Sequence, residues 1–199
     1  MRLGRLVHKC RKDPLLAAQK PKEFADALRL VHSIQPRIIL EIGTKTGGSL
    51  CGWCHVIPKG ATVISIDLPG GRGGGKYSKF DYEKELEPML GDHEFHWIRE
   101  DSQREETYQK VCDILKGRKI DFAFIDGGHK YNEVKSDFEM YGSLVNGLIM
   151  FHDIVSNFPR CQVHDFWEEI KEQYVHYEFV DPEWGRKNRM GIGAIFHKA

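Results

Sequence analysis

The chain has 199 residues, enough for one α/β domain with a sizeable core, and 41% of them are hydrophobic. No apolar run approaches the roughly 18 residues a spanning helix needs, so no membrane segment is expected. The 29 Lys and Arg balance 29 Asp and Glu; a neutral chain lacks the basic bias of an obligate nucleic-acid partner.

In chain order, Met1–Asp13 is basic (Arg2, Arg5, Lys9, Arg11, Lys12) and lacks the apolar stretch of a signal peptide, so a cytoplasmic location is expected. Helical patterns at Pro21–Ile34, Gly48–Ile57, Asp81–Leu90, Arg104–Leu115, Asn132–Leu144 and Gln162–Glu172 alternate with strand-like runs. Those runs are Arg37–Ile42, Thr62–Asp67, Glu94–Arg99, Ile120–Ile125 and Leu148–His152, followed by Tyr174–Val180 and Ile192–His197. The first five read as nearly all-apolar, the signature of buried parallel strands. The last two have only the turn region Asp181–Asn188 between them. The expectation is an α/β fold: a doubly wound, mostly parallel seven-stranded sheet, helices on both faces, and an antiparallel C-terminal hairpin. One domain is expected over 1–199, with 1–36 as an N-terminal helical cap and 37–199 as the core.

Five cysteines form an odd, scattered set, and reduced thiols are the default reading. Cys51 and Cys54 make a lone C-x-x-C inside a helical pattern, where packing on the sheet is favoured over a redox or zinc role. The Gly-rich segment Pro69–Ser78 nearly spells a phosphate loop, but Tyr77 stands where Ser or Thr would hold magnesium. It reads as a loop or a lid over substrate. His176 and Glu178 share the first spacing of a non-haem iron triad, on a late strand away from the other acids.

Residues 38–48, Ile-Ile-Leu-Glu-Ile-Gly-Thr-Lys-Thr-Gly-Gly, are the most informative stretch. A short apolar strand delivers Glu41, then a turn with Gly43, Gly47 and Gly48 enters a helix. Glycines let the backbone approach a ligand closely, and the helix start offers unpaired N–H groups to an anion. In an open parallel sheet ligands sit at the carboxyl ends of the strands, and here each of five strands ends near an acid: Glu41, Asp67, Asp101, Asp126 and Asp153. Asp67 closes its strand where a carboxylate accepts both hydroxyls of a ribose. Asp126 and Asp153 end neighbouring strands, so their carboxylates converge in a way that suits Mg²⁺.

The acid-x-Gly-x-x-x-Gly spacing resembles the first motif of class I S-adenosylmethionine (SAM) methyltransferases, not the Gly-x-Gly-x-x-Gly of nicotinamide-binding turns. With Phe124–Tyr131, Gly147–Asp153 and Phe166–Ile170, the chain is similar to the small group related to macrocin O-methyltransferase and the cephalosporin-hydroxylase-like proteins. The resemblance runs from about Ile38 to Ile170 and implies a Rossmann-like fold and SAM as cofactor. It implies that Glu41 orients the turn or meets the methionine amine, that Gly43, Thr44 and Gly48 form the floor, and that Asp67 holds the ribose. Asp101 and Ser102 would stand at the adenine, and Asp126 would serve cofactor, metal and chemistry together. The acceptor implied is a hydroxyl on a small molecule or glycoside.

Catechol-type O-methyltransferases set a metal on an acid after strand four and an Asp-Asn pair after strand five. Asp153 falls on that acid, but Ile154 stands at the Asn and cannot coordinate. His152 precedes it, and imidazole suits zinc, iron or manganese better than magnesium. The expected ligands are therefore Asp126, Asp153 and His152, for Mg²⁺ or another divalent ion. His129 lies three residues after Asp126, where the catechol-type enzymes carry a lysine base, and a neutral imidazole there accepts a hydroxyl proton. The bland alternative is a helix-start residue bonding the loop; Lys130 is a second candidate base. Two rivals stand beside a methyltransferase: a SAM-binding module without turnover, and an oxidoreductase for dinucleotides or nucleotide sugars on the same topology. A homo-oligomer is left open.

Overall fold

A computed structural model describes residues 3–70, 86–181 and 190–198. The Gly-rich segment beyond Gly70, including Tyr77, the first part of the expected Asp81–Leu90 helix, and residues 182–189 of the last turn region lie outside the described residues.

The helices are α1 (Leu3–Cys10), α2 (Pro21–Ile34), α3 (Gly48–Val56), α4 (Glu87–Leu90), α5 (Glu105–Leu115), α6 (Tyr131–Gly142) and α7 (Val163–Ile170). The strands are β1 (Ile38–Ile42), β2 (Thr62–Ile66), β3 (Glu94–Ile98), β4 (Ile120–Ile125), β5 (Val145–His152), β6 (Val175–Phe179) and β7 (Ile192–Lys198). They form one sheet in the order β3-β2-β1-β4-β5-β7-β6. Pairing is parallel from β3 through β5, while β7 runs antiparallel between β5 and β6. The chain reverses its direction of travel between β1, which pairs with both β2 and β4, and that switch point is where such sheets bind ligands.

Alternation along the central strands builds two cores. Ile39, Val63, Phe122, Phe124, Leu148 and Met150 pack under α1, α2 and α3 with Phe24, Leu28 and Trp53. Ile38, Leu40, Ile64, Ile66, Ala123, Ile149 and Phe151 pack under α5, α6 and α7 with Val111, Tyr141, Phe166 and Trp167. Trp53 meets Phe24, Phe122 and Phe124 edge-on at 5.1–5.2 Å. Trp53, Trp167 and Phe151 are core groups. β1 and β2 are buried at every position, as their all-apolar pattern requires.

β3 departs from that expectation. It is the sheet edge, and only Ile98 of its five residues is buried. Glu94 and His96 pair with each other on its outer side, so a strand with polar residues at alternate positions takes the half-solvated place. Cys51 and Cys54 are both buried on α3, with the Cys51 thiol facing the His55 ring at 3.8 Å. The His176–Glu178 pair sits on the edge strand β6, where Glu178 accepts from the Trp167 indole at 2.7 Å and pairs with Lys171.

Candidate active site

A cleft of about 690 Å³ opens along the carboxyl edge of the sheet. One end is walled by Asp67, Asp101 and Ser102, the floor by Gly43, Thr44 and Gly48, and the other end by Asp126, His129, His152 and Asp153. Four of the five strand-end acids thus face one space. Glu41 does not line it. Its side chain points into the α2/α3 core, where it is fully buried and accepts from the Trp53 indole at 3.1 Å. Burial pushes its carboxyl up to about 8, against the hydroxyls of Ser49 and Thr44. Of its two expected roles, this placement favours orienting the turn.

The turn after β1 demands its glycines. Gly43 has φ +92°, and a Cβ there would stand 2.1 Å from the carbonyl oxygen of Asp126. The glycine lets β1 and β4 end side by side, which brings Asp126 to the floor. Gly43 N–H donates to Ile66 O at 2.9 Å, tying the same turn to β2. Gly48 opens α3 under the segment entering from α1: a Cβ on it would collide with Ala17. Thr44 is buried, its hydroxyl 2.6 Å from that of Ser65.

Asp67 is held in place by three donors. Its Oδ2 accepts from Lys45 N–H at 2.9 Å and from Arg99 Nη1 at 3.3 Å, and its Oδ1 accepts from Leu68 N–H at 3.0 Å. Asp101 Oδ1 accepts from Gln103 N–H at 3.0 Å. Ser102 directs its hydroxyl away to Asp137 Oδ1 at 2.7 Å, while its carbonyl accepts from Tyr141 Oη. Ser102 therefore presents backbone to the cleft. Asp137 lies buried behind it, and burial raises its carboxyl to about 7.

At the other end Asp126, His152 and Asp153 bring one ligand atom each within 4.8 Å of one another. His152 Nδ1 lies 3.1 Å from Asp126 Oδ1 and 3.5 Å from Asp153 Oδ2. His129 Nε2 lies 3.2 Å from Asp153 Oδ2 and 3.7 Å from Asp126 Oδ1. Asp153 adopts φ +66°, a left-handed conformation that an aspartate tolerates better than most residues; it turns the chain sharply out of β5. Burial opposes the charge on Asp126, yet the imidazoles of His152 and His129 hold its carboxyl down at about 2. The Asp126 hydrogen bond in turn raises His129, and Asp126 with Asp153 raises His152 well above the ordinary imidazole range despite its burial.

The donor set fits a divalent cation. Two carboxylates and an imidazole converge, and Asp153 Oδ1 is a buried polar atom without a hydrogen-bond partner. An imidazole in the set favours Mn²⁺, Fe²⁺, Co²⁺ or Zn²⁺ over Mg²⁺. Ile154, at the position expected to coordinate in catechol-type enzymes, is fully buried in the second core.

Two site residues escaped the sequence reading. Gln19 lines the cleft and donates from Nε2 to Asp126 Oδ2 at 3.0 Å, across 107 residues of chain. Glu23, buried on α2, faces His152 Nε2 at 3.9 Å. For Gln19 no local signal exists. For Glu23 there was one: it sits four residues before Ala27 on the buried stripe of an amphipathic helix, where an acid needs a reason.

The sheet order, the glycine turn after β1 and the acid-lined carboxyl edge define a class I methyltransferase fold. The chain belongs to the methyltransferase-domain family, whose model matches residues 40–154, more than half of its length. Among curated proteins it is 26% identical, over 169 residues, to the uncharacterized protein y4gI of Sinorhizobium fredii (strain NBRC 101917 / NGR234). That match takes in 84% of this chain but only 18% of the relative's length. Similar solved structures include an O-methyltransferase from Bacillus cereus in complex with SAH (S-adenosylhomocysteine), with TM-score 0.64, 21% identity, 98% of this chain and 90% of that one. TomG from Streptomyces achromogenes, an O-methyltransferase involved in tomaymycin synthesis and solved with SAM, gives TM-score 0.63 at 16% identity over 100% and 91%. Cofactor-bound Rv0187 from MTB gives 0.64 at 16% identity over 99% and 88%. At these identities the structures speak for the fold.

Proposed function

We propose that the protein is a SAM-dependent O-methyltransferase that acts on a hydroxyl of a small molecule or glycoside, with a divalent ion at Asp126, His152 and Asp153. The carrying observation is the continuity of one cleft. It runs from Asp67 across the Gly43 turn to the Asp126–His152–Asp153 cluster, which supports a cofactor at one end and an acceptor at the other. Two of the solved neighbours are O-methyltransferases, one bound to SAH and one to SAM, which supports the same reading. No helix among the described residues is long and apolar enough to cross a membrane, and all five cysteines are unpaired, which suits a reducing cytoplasm.

When bound, SAM supplies a methyl group on a sulfonium, so the protein needs no nucleophilic side chain of its own. Asp67, already aimed by Lys45, Leu68 and Arg99, accepts from the ribose hydroxyls. Asp101 and the backbone of Ser102 bound the adenine end, and Gly43, Thr44 and Gly48 give the floor on which the amino-acid portion lies. Asp126, His152 and Asp153 would hold the ion, which supplies a positive charge beside the acceptor oxygen and favours its alkoxide.

His129 is the base that takes the hydroxyl proton, onto the Nε2 that faces both carboxylates. The hydrogen bond to Asp126 raises its pKa above the ordinary imidazole value. An ion held by Asp126, His152 and Asp153 would supply positive charge that offsets this pull, and a neutral ring accepts a proton. The cluster's two halves thus depend on each other.

The test is transfer of labelled methyl from SAM to a panel of hydroxyl-bearing acceptors, with products identified by mass. Label on oxygen, dependent on His129, is expected. Label on nitrogen or carbon, or no transfer to any acceptor by protein that binds SAH, would overturn the assignment.

A further inference from the structure

The ligand cluster is gripped from behind by the chain that enters α2. Gln19 precedes the helix by two residues and Glu23 lies in its first turn, four residues later. Gln19 Nε2 donates to Asp126 Oδ2 at 3.0 Å, which turns Oδ1 of that carboxylate toward His152 Nδ1 and His129 Nε2. Glu23 is fixed by two backbone donors: Lys20 N–H on Oε1 at 2.7 Å and Gly191 N–H on Oε2 at 3.1 Å. Its Oε1 is also the carboxylate oxygen facing His152 Nε2, at 3.9 Å. The two histidine nitrogens therefore look in opposite directions, Nδ1 to the cluster and Nε2 to Glu23.

Three polar side-chain atoms here are buried and without a hydrogen-bond partner: Gln19 Oε1, His152 Nε2 and Asp153 Oδ1. Their residues are 2%, 3% and 6% exposed. Buried polar groups seldom stay unpaired; Asp153 Oδ1 belongs to a cluster carboxylate, while His152 Nε2 is turned to Glu23 on the other side of the ring. A metal-bound imidazole typically directs its other nitrogen at a carboxylate, and such partners set ring orientation and ligand strength.

We propose that Gln19 and Glu23 are positioning residues of a transition-metal site. Gln19 turns Asp126, and Glu23 sets the tautomer and tilt of His152, so that Asp126 Oδ1, His152 Nδ1 and Asp153 Oδ2 face one ion of the Mn²⁺, Fe²⁺, Co²⁺ or Zn²⁺ class in preference to Mg²⁺. The proposal rests on the metal-assisted reading above, and it makes the entry to α2 part of the site. The segment that lines the cleft at Leu16–Gln19 also holds the cluster.

The experiment is a metal titration of the chelator-treated full chain, independent of turnover. Co²⁺ is followed by its visible d–d absorption, with Mg²⁺ as competitor. Wild type is expected to bind Co²⁺ at least tenfold more tightly than Mg²⁺. Gln19→Met and Glu23→Gln are each expected to weaken Co²⁺ by about 10- to 100-fold and to change the d–d spectrum. Melting temperature and calorimetry with SAH monitor the fold; should Glu23→Gln fail to fold, Gln19→Met carries the test alone. Equal affinity for Mg²⁺ and Co²⁺ in wild type, or folded variants that bind Co²⁺ within twofold of wild type, would overturn the proposal. SAH binding without any metal binding sinks this inference and leaves the SAM reading standing; Co²⁺ binding with the expected variant losses but without SAH does the reverse.

Discussion

The two ends of the cleft are built by different means. The proposed cofactor end is mostly local: Gly43, Thr44, Gly48 and Lys45 come from one turn, and Asp67 ends the adjacent strand, tied to that turn through Lys45 N–H, with Asp101 and Ser102 following the next strand. The chemical end is assembled from afar. Gln19 reaches Asp126 across 107 residues, His152 reaches Asp126 across 26, and Glu23 reaches Gly191 across 168. The first end leans mainly on one turn and the adjacent strand ends, whereas the second also needs the chain before α2 to pack back across 107 residues. Cofactor binding should thus be separable from metal binding by mutation.

The sharpest break between the two ends is Asp153→Ala. It should abolish metal binding and any metal dependence of turnover while sparing SAH affinity; a parallel loss of SAH binding would show the ends are one unit. The converse change, Asp67→Ala, should weaken SAH by about 30- to 150-fold, or ~2–3 kcal/mol, with Co²⁺ affinity unmoved in the same calorimeter. Gly43→Ala attacks the hinge they share. Its Cβ would collide with the Asp126 carbonyl at a positive φ, so a stability loss of about 2 kcal/mol or more is expected. For a chain of this size that lowers the melting temperature by roughly 4 °C or more, and both ligands should bind less well. A melting point equal to wild type would mean that β1 and β4 can part without cost.

Glu41→Gln probes the support of the turn through pH. The folded Glu41 carboxyl is raised to about 8 by burial, so across the window from its unfolded value of about 4.3 to about 8 the native state holds a proton the unfolded chain lacks. Its contribution to stability is present at low pH and lost as pH rises through that window. Melting curves from pH 5 to 9 should fall less steeply for the Gln variant; parallel curves would mean Glu41 is ionised in the fold. The smallest effect is expected from Lys130→Ala, since Lys130 is exposed and pairs with Glu133 at 2.8 Å on the surface. Stability should change by no more than about 0.5 kcal/mol and turnover should hold, which separates Lys130 from His129 as base.

The same local-against-distant contrast decides what could be read from the sequence. Periodicity marked every strand to within three residues at either end, because buried parallel strands are written as apolar runs. It misjudged β3, where Phe95, Trp97 and Ile98 look like core residues but the strand lies at the sheet edge. Position in a sheet is a property of topology, and no five-residue window contains it. The strand-end acids were legible because chain direction alone puts them on one rim. Which way Glu41 points was not, since that depends on Trp53 packing across α3. Gln19 left no mark at all: a glutamine before a helix is ordinary, and only the path of residues 11–20 over α3 brings it to Asp126.

Calorimetry of the wild-type chain with SAH, run beside NAD under the same buffer, bears most directly on the central claim that this carboxyl-edge cleft is an adenosyl-sulfonium site. Saturable one-to-one binding of SAH with no heat from NAD is the expected result. Saturable NAD binding with none for SAH would contradict it.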